Sequence, residues 1–251
     1  MFNKRKRPND ITDNLITDFS SSASEAIQKL QTSISFAFPD NPGPKVIGVV
    51  SSVQAEGKST LAVNLANIYA ARGAKVCLVN LDIRRPSIHR FFGIKNDIGI
   101  VEYVTGDEPL EKVIRHTAQG VDIINSGSKT PFPTKILSSP KMNEAFDSLK
   151  KMGYDYIIAD NAPVLLVTDA LLTSSYTDGF LFVASQHISK KKDTANGLSI
   201  LKNAKINVIG IVMTEVTDFR DAGDSSNGYY YYYGDGKNYH DKKRAKSHPI
   251  D

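Results

Sequence analysis

The stretch Val46-Ile47-Gly48-Val49-Val50-Ser51-Ser52-Val53-Gln54-Ala55-Glu56-Gly57-Lys58-Ser59-Thr60 limits this chain more than any other. An apolar run, a short polar turn and Gly-Lys-Ser-Thr follow one another. That order predicts a buried strand leading through a tight loop into a helix. Successive backbone N–H groups at such a helix start face an anion. Lys58 then reaches the β- and γ-phosphates of a nucleotide, Ser59 ligates Mg²⁺, and Thr60 lies near the α-phosphate. A glycine turn into an ordinary amphipathic helix would explain Gly57 alone, but not the coincidence of all three parts. The strict spacing also asks for glycine at position 52, where this chain has Ser52.

The rest of the composition excludes several classes. With 251 residues and 41% hydrophobic content, the chain can build a real core as one domain or two small ones. A net charge of +4 does not call for nucleic acid. No apolar run approaches the ~20 residues of a membrane helix, and no apolar segment follows the N-terminal basic residues as in a secretory signal. The single cysteine, Cys77, cannot form an internal disulfide, which fits a reducing cytoplasm. His89, His116, His187, His240 and His248 are scattered without metal-ligand spacing.

Residues 1–44 read as a polar arm, a helix and a linker. Lys4-Arg5-Lys6-Arg7 fits a solvated arm or a weak contact with an anionic membrane face, at roughly 1 kcal/mol per basic residue. A helix is expected from Ser24, its cap, to Phe38, and Pro39, Pro42, Gly43 and Pro44 end it. Residues 45–216 alternate apolar strands with helices. Strands are expected at Val46–Ser51, Lys75–Asp82, Val121–Asn125, Tyr154–Asp160, Gly179–Ala184 and Val208–Met213. Helices are expected at Lys58–Arg72, Val101–Val104, Leu110–Ile114, Met142–Met152 and Lys190–Asn203. This is an α/β pattern with a mostly parallel sheet covered on both faces, whose ligand site lies beyond the carboxyl ends of the strands. Residues 217–251 lack aliphatics, cannot bury a core and read as a flexible tail.

Chemistry-bearing residues stand at strand ends. Asp160 closes the run Tyr-Ile-Ile-Ala, where an acid can hold Mg²⁺ through water or simply cap a turn. Asp82 can share that metal, or form a turn with solvated arginines. Arg84 or Arg85 can neutralise phosphate charge. The run Tyr229, Tyr230, Tyr231, Tyr232, Tyr233, with Tyr239 nearby, can be a low-complexity tail, a packing strip or a set of phosphoacceptors. Five adjacent tyrosines on a flexible tail cannot all pack.

From Ser24 onward the chain resembles the bacterial tyrosine kinases (BY-kinases). The resemblance rests on the Ser-Glu-Ala start of the first helix, the Walker A segment ending Glu56-Gly57-Lys58-Ser59-Thr60, and Leu78-Val79-Asn80-Leu81-Asp82-Ile83-Arg84-Arg85-Pro86 as Walker A′. It continues with Leu137-Ser138-Ser139-Pro140, Asp160 through Pro163-Val164 as Walker B, Val167-Thr168-Asp169-Ala170 and the tyrosine cluster. The resemblance implies a P-loop NTPase-like fold that binds ATP and Mg²⁺, with Ala55, Glu56, Gly57, Lys58, Ser59 and Thr60 at the nucleotide. It places Ser59, Asp82 and Asp160 at the metal, and Lys58 and Asp82 in catalysis. It implies a protein-tyrosine kinase acting on its own tail, held at the inner membrane face by a transmembrane polysaccharide co-polymerase adaptor in capsular or exopolysaccharide export.

The departures from the family point one way. Gln54-Ala55 stand where the family usually has Pro-Gly. If that position needs a positive φ, alanine costs about 1–2 kcal/mol there. Asn80 occupies the position of the proposed base. It cannot take a proton, so a phenol of pKa ~10 ionises unaided at a cost of ~10²–10⁴ in rate. Asn161-Ala162 replace Thr/Ser-Pro, and Thr214 replaces an asparagine. Gln28 and Gln31 replace arginines that follow Glu25 and serve ring formation, which puts a self-associated ring in doubt. These features keep open a second reading, a catalytically weakened nucleotide-binding regulator of the same system. A partitioning-type ATPase switch is disfavoured by the tyrosine tail.

Overall fold

The computed structural model describes residues 11–17, 21–38 and 43–216. They lie within one compact unit, Met1–Val216. In chain order the elements are α1 (Ser22–Ala37), β1 (Lys45–Ser51), α2 (Lys58–Ala71), β2 (Val76–Asn80), α3 (Ile88–Phe91), α4 (Ile100–Thr105), α5 (Leu110–Val113), β3 (Ile114–His116) and β4 (Val121–Ile124). They continue with α6 (Pro133–Leu137), α7 (Pro140–Lys151), β5 (Tyr156–Asp160), α8 (Asp169–Thr173), β6 (Gly179–Ser185), α9 (Lys191–Asn203) and β7 (Val208–Thr214), with single 3₁₀ turns at Ile11–Asn14 and Ser174–Tyr176.

The strands form one seven-stranded sheet in the order β3-β4-β2-β5-β1-β6-β7. Every pairing is parallel except β3 with β4. Central strands are buried on both faces, so they read as unbroken apolar runs. One face, with Ile47, Val49, Leu78 and Ile158, packs under α1 and α2 through Ile27, Ile34, Leu61 and Leu65. The other carries two clusters. Val46, Cys77, Val79 and Ile157 meet α4–α7 through Ile100, Leu137 and Phe146. Val50, Phe180 and Phe182 meet α9 through Leu201.

Several boundaries differ from expectation. The cap of α1 is Ser21, whose side chain accepts the Ser24 N–H at 3.2 Å. Ser24 is instead buried, and its hydroxyl accepts from Gln28 Nε2 at 3.3 Å. The inward face of α1 is Ser24, Ile27, Gln31 and Ile34. Gln31 therefore faces the body of its own chain. Sequence periodicity does not show β3, α3, α6 or α8. None exceeds five residues, too short for a period to repeat.

Candidate active site

Asp160 ends β5, the strand paired to both β1 and β2, with Val49 and Asn80 as its register partners. Strand alternation turns Asp160 and Asn80 toward the same face, the one that α2 covers. On that face the chain leaves β1, passes through the loop and enters α2 at Lys58. The fold thus brings the ends of three strands to the start of one helix, as expected at the carboxyl edge of a parallel sheet.

Lys58 Nζ lies 3.0 Å from Asp82 Oδ2 and 3.1 Å from Asp160 Oδ1. It donates to Ser59 Oγ at 3.2 Å, and Ser59 Oγ donates to Asp160 Oδ2 at 2.6 Å. All three charged groups are buried. Burial pulls the Lys58 amine down, but the carboxylates of Asp160 and Asp82 outweigh it and hold the amine above its ordinary value. Burial lifts the Asp160 carboxyl, and the nearby Asp82 charge adds to that. Lys58 and the Ser59 hydroxyl only partly offset it, so Asp160 sits above the ordinary carboxylate range.

The loop before α2 forms an anion cradle. Gly57 sits at φ +88° and Ala55 at φ +65°. Ala55 thus occupies the left-handed conformation anticipated for that position. The N–H groups of Gly57, Lys58, Ser59 and Thr60, which a helix start leaves without an intrahelical partner, meet no acceptor among the described residues. A Cβ on Gly57 would come within 3.1 Å of the Thr214 side chain. Thr214 in turn donates from its hydroxyl to the Glu56 carbonyl at 2.8 Å. The Glu56 side chain does not face the cradle. It is fully buried and accepts the Val53 N–H at 2.8 Å, so only its backbone is available to phosphate.

The two arginines after Asp82 have different partners. Arg84 forks onto Asp169 at 2.8 and 3.1 Å, and its pKa is raised chiefly by that hydrogen bond. It is committed to a buried carboxylate. Arg85 donates to Gln54 Oε1 at 2.6 Å, and its N–H binds Asp82 Oδ1 at 3.0 Å. Of the two, Arg85 is the one beside the loop. Asn161 accepts from Thr173 at 2.7 Å and donates to the Ala159 carbonyl at 2.9 Å, so it anchors α8. Asp169, Thr214 and Ser189, whose hydroxyl donates to the Glu56 carboxylate, support the site through partners the sequence did not indicate.

Asn80 is fully buried, and neither atom of its side-chain amide has a hydrogen-bond partner among the described residues. Two carboxylates and a hydroxyl gather around one amine, an all-oxygen donor set of the kind Mg²⁺ takes, with few protein ligands and the remainder from water and phosphate. Among the described residues no three His, Cys, Asp or Glu side chains form a metal cluster. A concavity of 410 Å³ lined by Lys45, Lys150, Tyr154 and Tyr156 lies at the start of β1 and β5. It is at the opposite sheet edge from the acids and has no cradle. The tyrosines 229–233 and 239 lie outside the described residues.

A parallel sheet with a Gly-Lys-Ser-Thr helix start and an acid at the next strand end defines a P-loop NTPase. A family model described as "ParA: NUBPL iron-transfer P-loop NTPase" matches residues 44–246. Tyrosine-protein kinase YwqD of Bacillus subtilis is 31% identical over 229 residues, covering 90% of this chain and 93% of YwqD. Tyrosine-protein kinase etk of Escherichia coli is 29% identical across 85% of this chain, which spans 29% of that relative's length. The solved kinase domain of the E. coli kinase superposes with a TM-score of 0.78 at 27% identity, covering 92% of this chain and 89% of that one. The septum site-determining protein MinD of Pyrococcus horikoshii, complexed with Mg-ADP, superposes with a TM-score of 0.57 at 26% identity over 68% of this chain and 70% of its own. The chain belongs to the bacterial tyrosine kinase family.

Proposed function

We propose that the protein is an ATP- and Mg²⁺-dependent tyrosine kinase that phosphorylates tyrosines 229–233 and 239 of its own C-terminal segment. In this reading it works with a transmembrane polysaccharide co-polymerase adaptor at the cytoplasmic face of the membrane, in capsular or exopolysaccharide polymerisation and export. The observation that carries it is the convergence of Lys58, Ser59, Asp82 and Asp160 beneath an N–H cradle. No helix among the described residues is long and apolar enough to cross a membrane, which fits recruitment through a partner. Iron transfer is not favoured, because Cys77, the chain's one cysteine, is buried in β2 and supplies no ligand pair.

Each residue has a physical task. The N–H groups of residues 55–60 and the start of α2 hold the phosphates. Lys58 stays protonated at neutral pH and moves from the acids to the outer phosphate oxygens when nucleotide enters. Arg85 adds positive charge at the rim of the cradle. Ser59, Asp82 and Asp160 would hold the metal, which when bound neutralises phosphate charge and orients the transferred group. Of the two acids Asp82 is the less deeply buried, and in this reading it would help a tyrosine hydroxyl.

Asn80 favours the second reading, a catalytically weakened nucleotide-binding regulator. It cannot accept a proton, and its buried amide does not reach a substrate entering from solvent. Incubation with γ-labelled ATP and Mg²⁺, with and without the adaptor's cytoplasmic fragment, tests both readings. The kinase reading expects phosphotyrosine at 229–233 or 239 in wild type and none in Lys58→Met. A tail labelled only by a second, competent kinase would leave the regulator.

A further inference from the structure

The Glu56 carboxylate is fully buried, inside the very loop meant to hold an anion. A buried carboxylate is costly unless donors hold it, and no cation pairs with it among the described residues. Its donors are the Val53 N–H at 2.8 Å and the hydroxyl of Ser189, in the turn between β6 and α9. The Glu56 carbonyl accepts from Thr214 at the end of β7. The turn that carries Ser189 is itself fixed. Ser189 Oγ accepts the Ser185 N–H at 2.7 Å, and Ser185 Oγ accepts the N–H groups of His187 and Ile188 at 3.2 and 3.1 Å. Immediately before Glu56, Ala55 stands at φ +65°, a conformation a side chain disfavours and keeps only when its surroundings impose it.

We propose that Glu56 and Ser189 form a positioning brace. It holds the phosphate loop, with Ala55 left-handed, in its binding shape before nucleotide arrives. The Glu56 side chain touches no ligand. It acts by anchoring one side of Ala55 to a distant rigid turn, while Arg85 to Gln54 anchors the other. The proposal rests on the nucleotide-binding reading above.

The test is titration of a fluorescent ADP analogue with Mg²⁺ into the full-length protein, with thermal melting of each variant run alongside. Glu56→Ala severs both side-chain contacts and is expected to weaken binding about tenfold to a hundredfold, the range of a lost buried hydrogen bond to a charged group. Glu56→Gln keeps one acceptor and falls between. Ser189→Ala moves in the same direction with Glu56 intact, so the test survives if Glu56→Ala does not fold. Adding Ala55→Gly to Ser189→Ala or Glu56→Ala restores most of the affinity, because glycine takes the positive φ without a brace. Unchanged affinity in Ser189→Ala and Glu56→Gln overturns the brace, as does lost affinity that Ala55→Gly fails to restore. Wild type that binds no more ADP than Lys58→Met overturns the nucleotide reading itself.

Discussion

Asp160 is held in a state that favours ligand over fold. Its pKa is raised chiefly by burial, so the folded chain binds that proton more tightly than the unfolded chain. A group shifted this way stabilises the fold below the ordinary carboxylate value of 3.8 and loses that contribution as pH rises through the higher folded value. Asp160→Asn is therefore expected to raise the melting temperature of the ligand-free protein at neutral pH and to flatten its decline over that window. Phosphotyrosine formation should fall at least ~10²-fold, as when a preorganised electrostatic group is removed. Melting curves across pH and a labelling assay on one preparation check both halves. Asn80 shows the converse. It is the register partner of Asp160 and its amide has no hydrogen-bond partner among the described residues. Asn80→Asp places a third buried carboxylate at the strand position paired with Asp160, where Lys58 is already shared between Asp82 and Asp160. The ligand-free protein should lose about 3–5 kcal/mol, the cost of an unpaired buried charge, and Mg²⁺-ADP should recover more of its melting temperature than it does for wild type. Equal melting of Asn80→Asp and wild type, with and without Mg²⁺-ADP, would contradict this.

At the scale of elements, α1 carries the clearest local conflict. Ile27 and Ile34 seat it on α2 and the sheet, yet between them Gln31 is 5% exposed, with both amide atoms unpartnered among the described residues. An unsatisfied buried polar group costs about 1–3 kcal/mol. Gln31→Met, similar in length and without polar donors, should raise the denaturation midpoint by an amount in that range, read from urea unfolding. The same helix shows where sequence reading stops. Its helical spacing and serine-rich start were legible, and so were β1, α2 and the apolar run ending at Asp160, because each announces itself within a few residues. Ser21 rather than Ser24 as cap was not, since in a run of serines only packing decides which one is buried. Lys58, Ser59 and Asp160 were legible because motif and strand end coincide. The Glu56 contact with Ser189 spans 133 positions, and Arg84 with Asp169 spans 85. No local pattern announces a bond that only the crossover connections create. Arg84 in particular reads as a phosphate ligand from its neighbours and becomes a clamp on α8 through the fold.

For the molecule as a whole, the three apolar clusters draw their members, full and partial, from residues 11–212. A chain ending at Val216 keeps all of them, along with Lys58, Asp82, Asp160 and the Glu56 brace. Removing residues 217–251 should leave the melting temperature within about 2 °C of the full chain, the shift that about 0.5 kcal/mol gives at this size. Binding of Mg²⁺-ADP should persist, and self-phosphorylation should vanish with tyrosines 229–233 and 239. Truncation alone cannot separate a lost acceptor from a lost catalyst. The shortened chain is therefore mixed with full-length Lys58→Met, which has acceptors and no phosphate lysine. Labelling of the full-length partner shows that the body transfers phosphate between molecules and that the acceptors lie beyond residue 216. If wild type labels Lys58→Met and the shortened chain does not, residues 217–251 contribute to catalysis, and the kinase cannot be assigned to the compact body alone. If neither labels it with the adaptor fragment present, the chain lacks transfer activity, and the protein acts as a nucleotide-binding regulator.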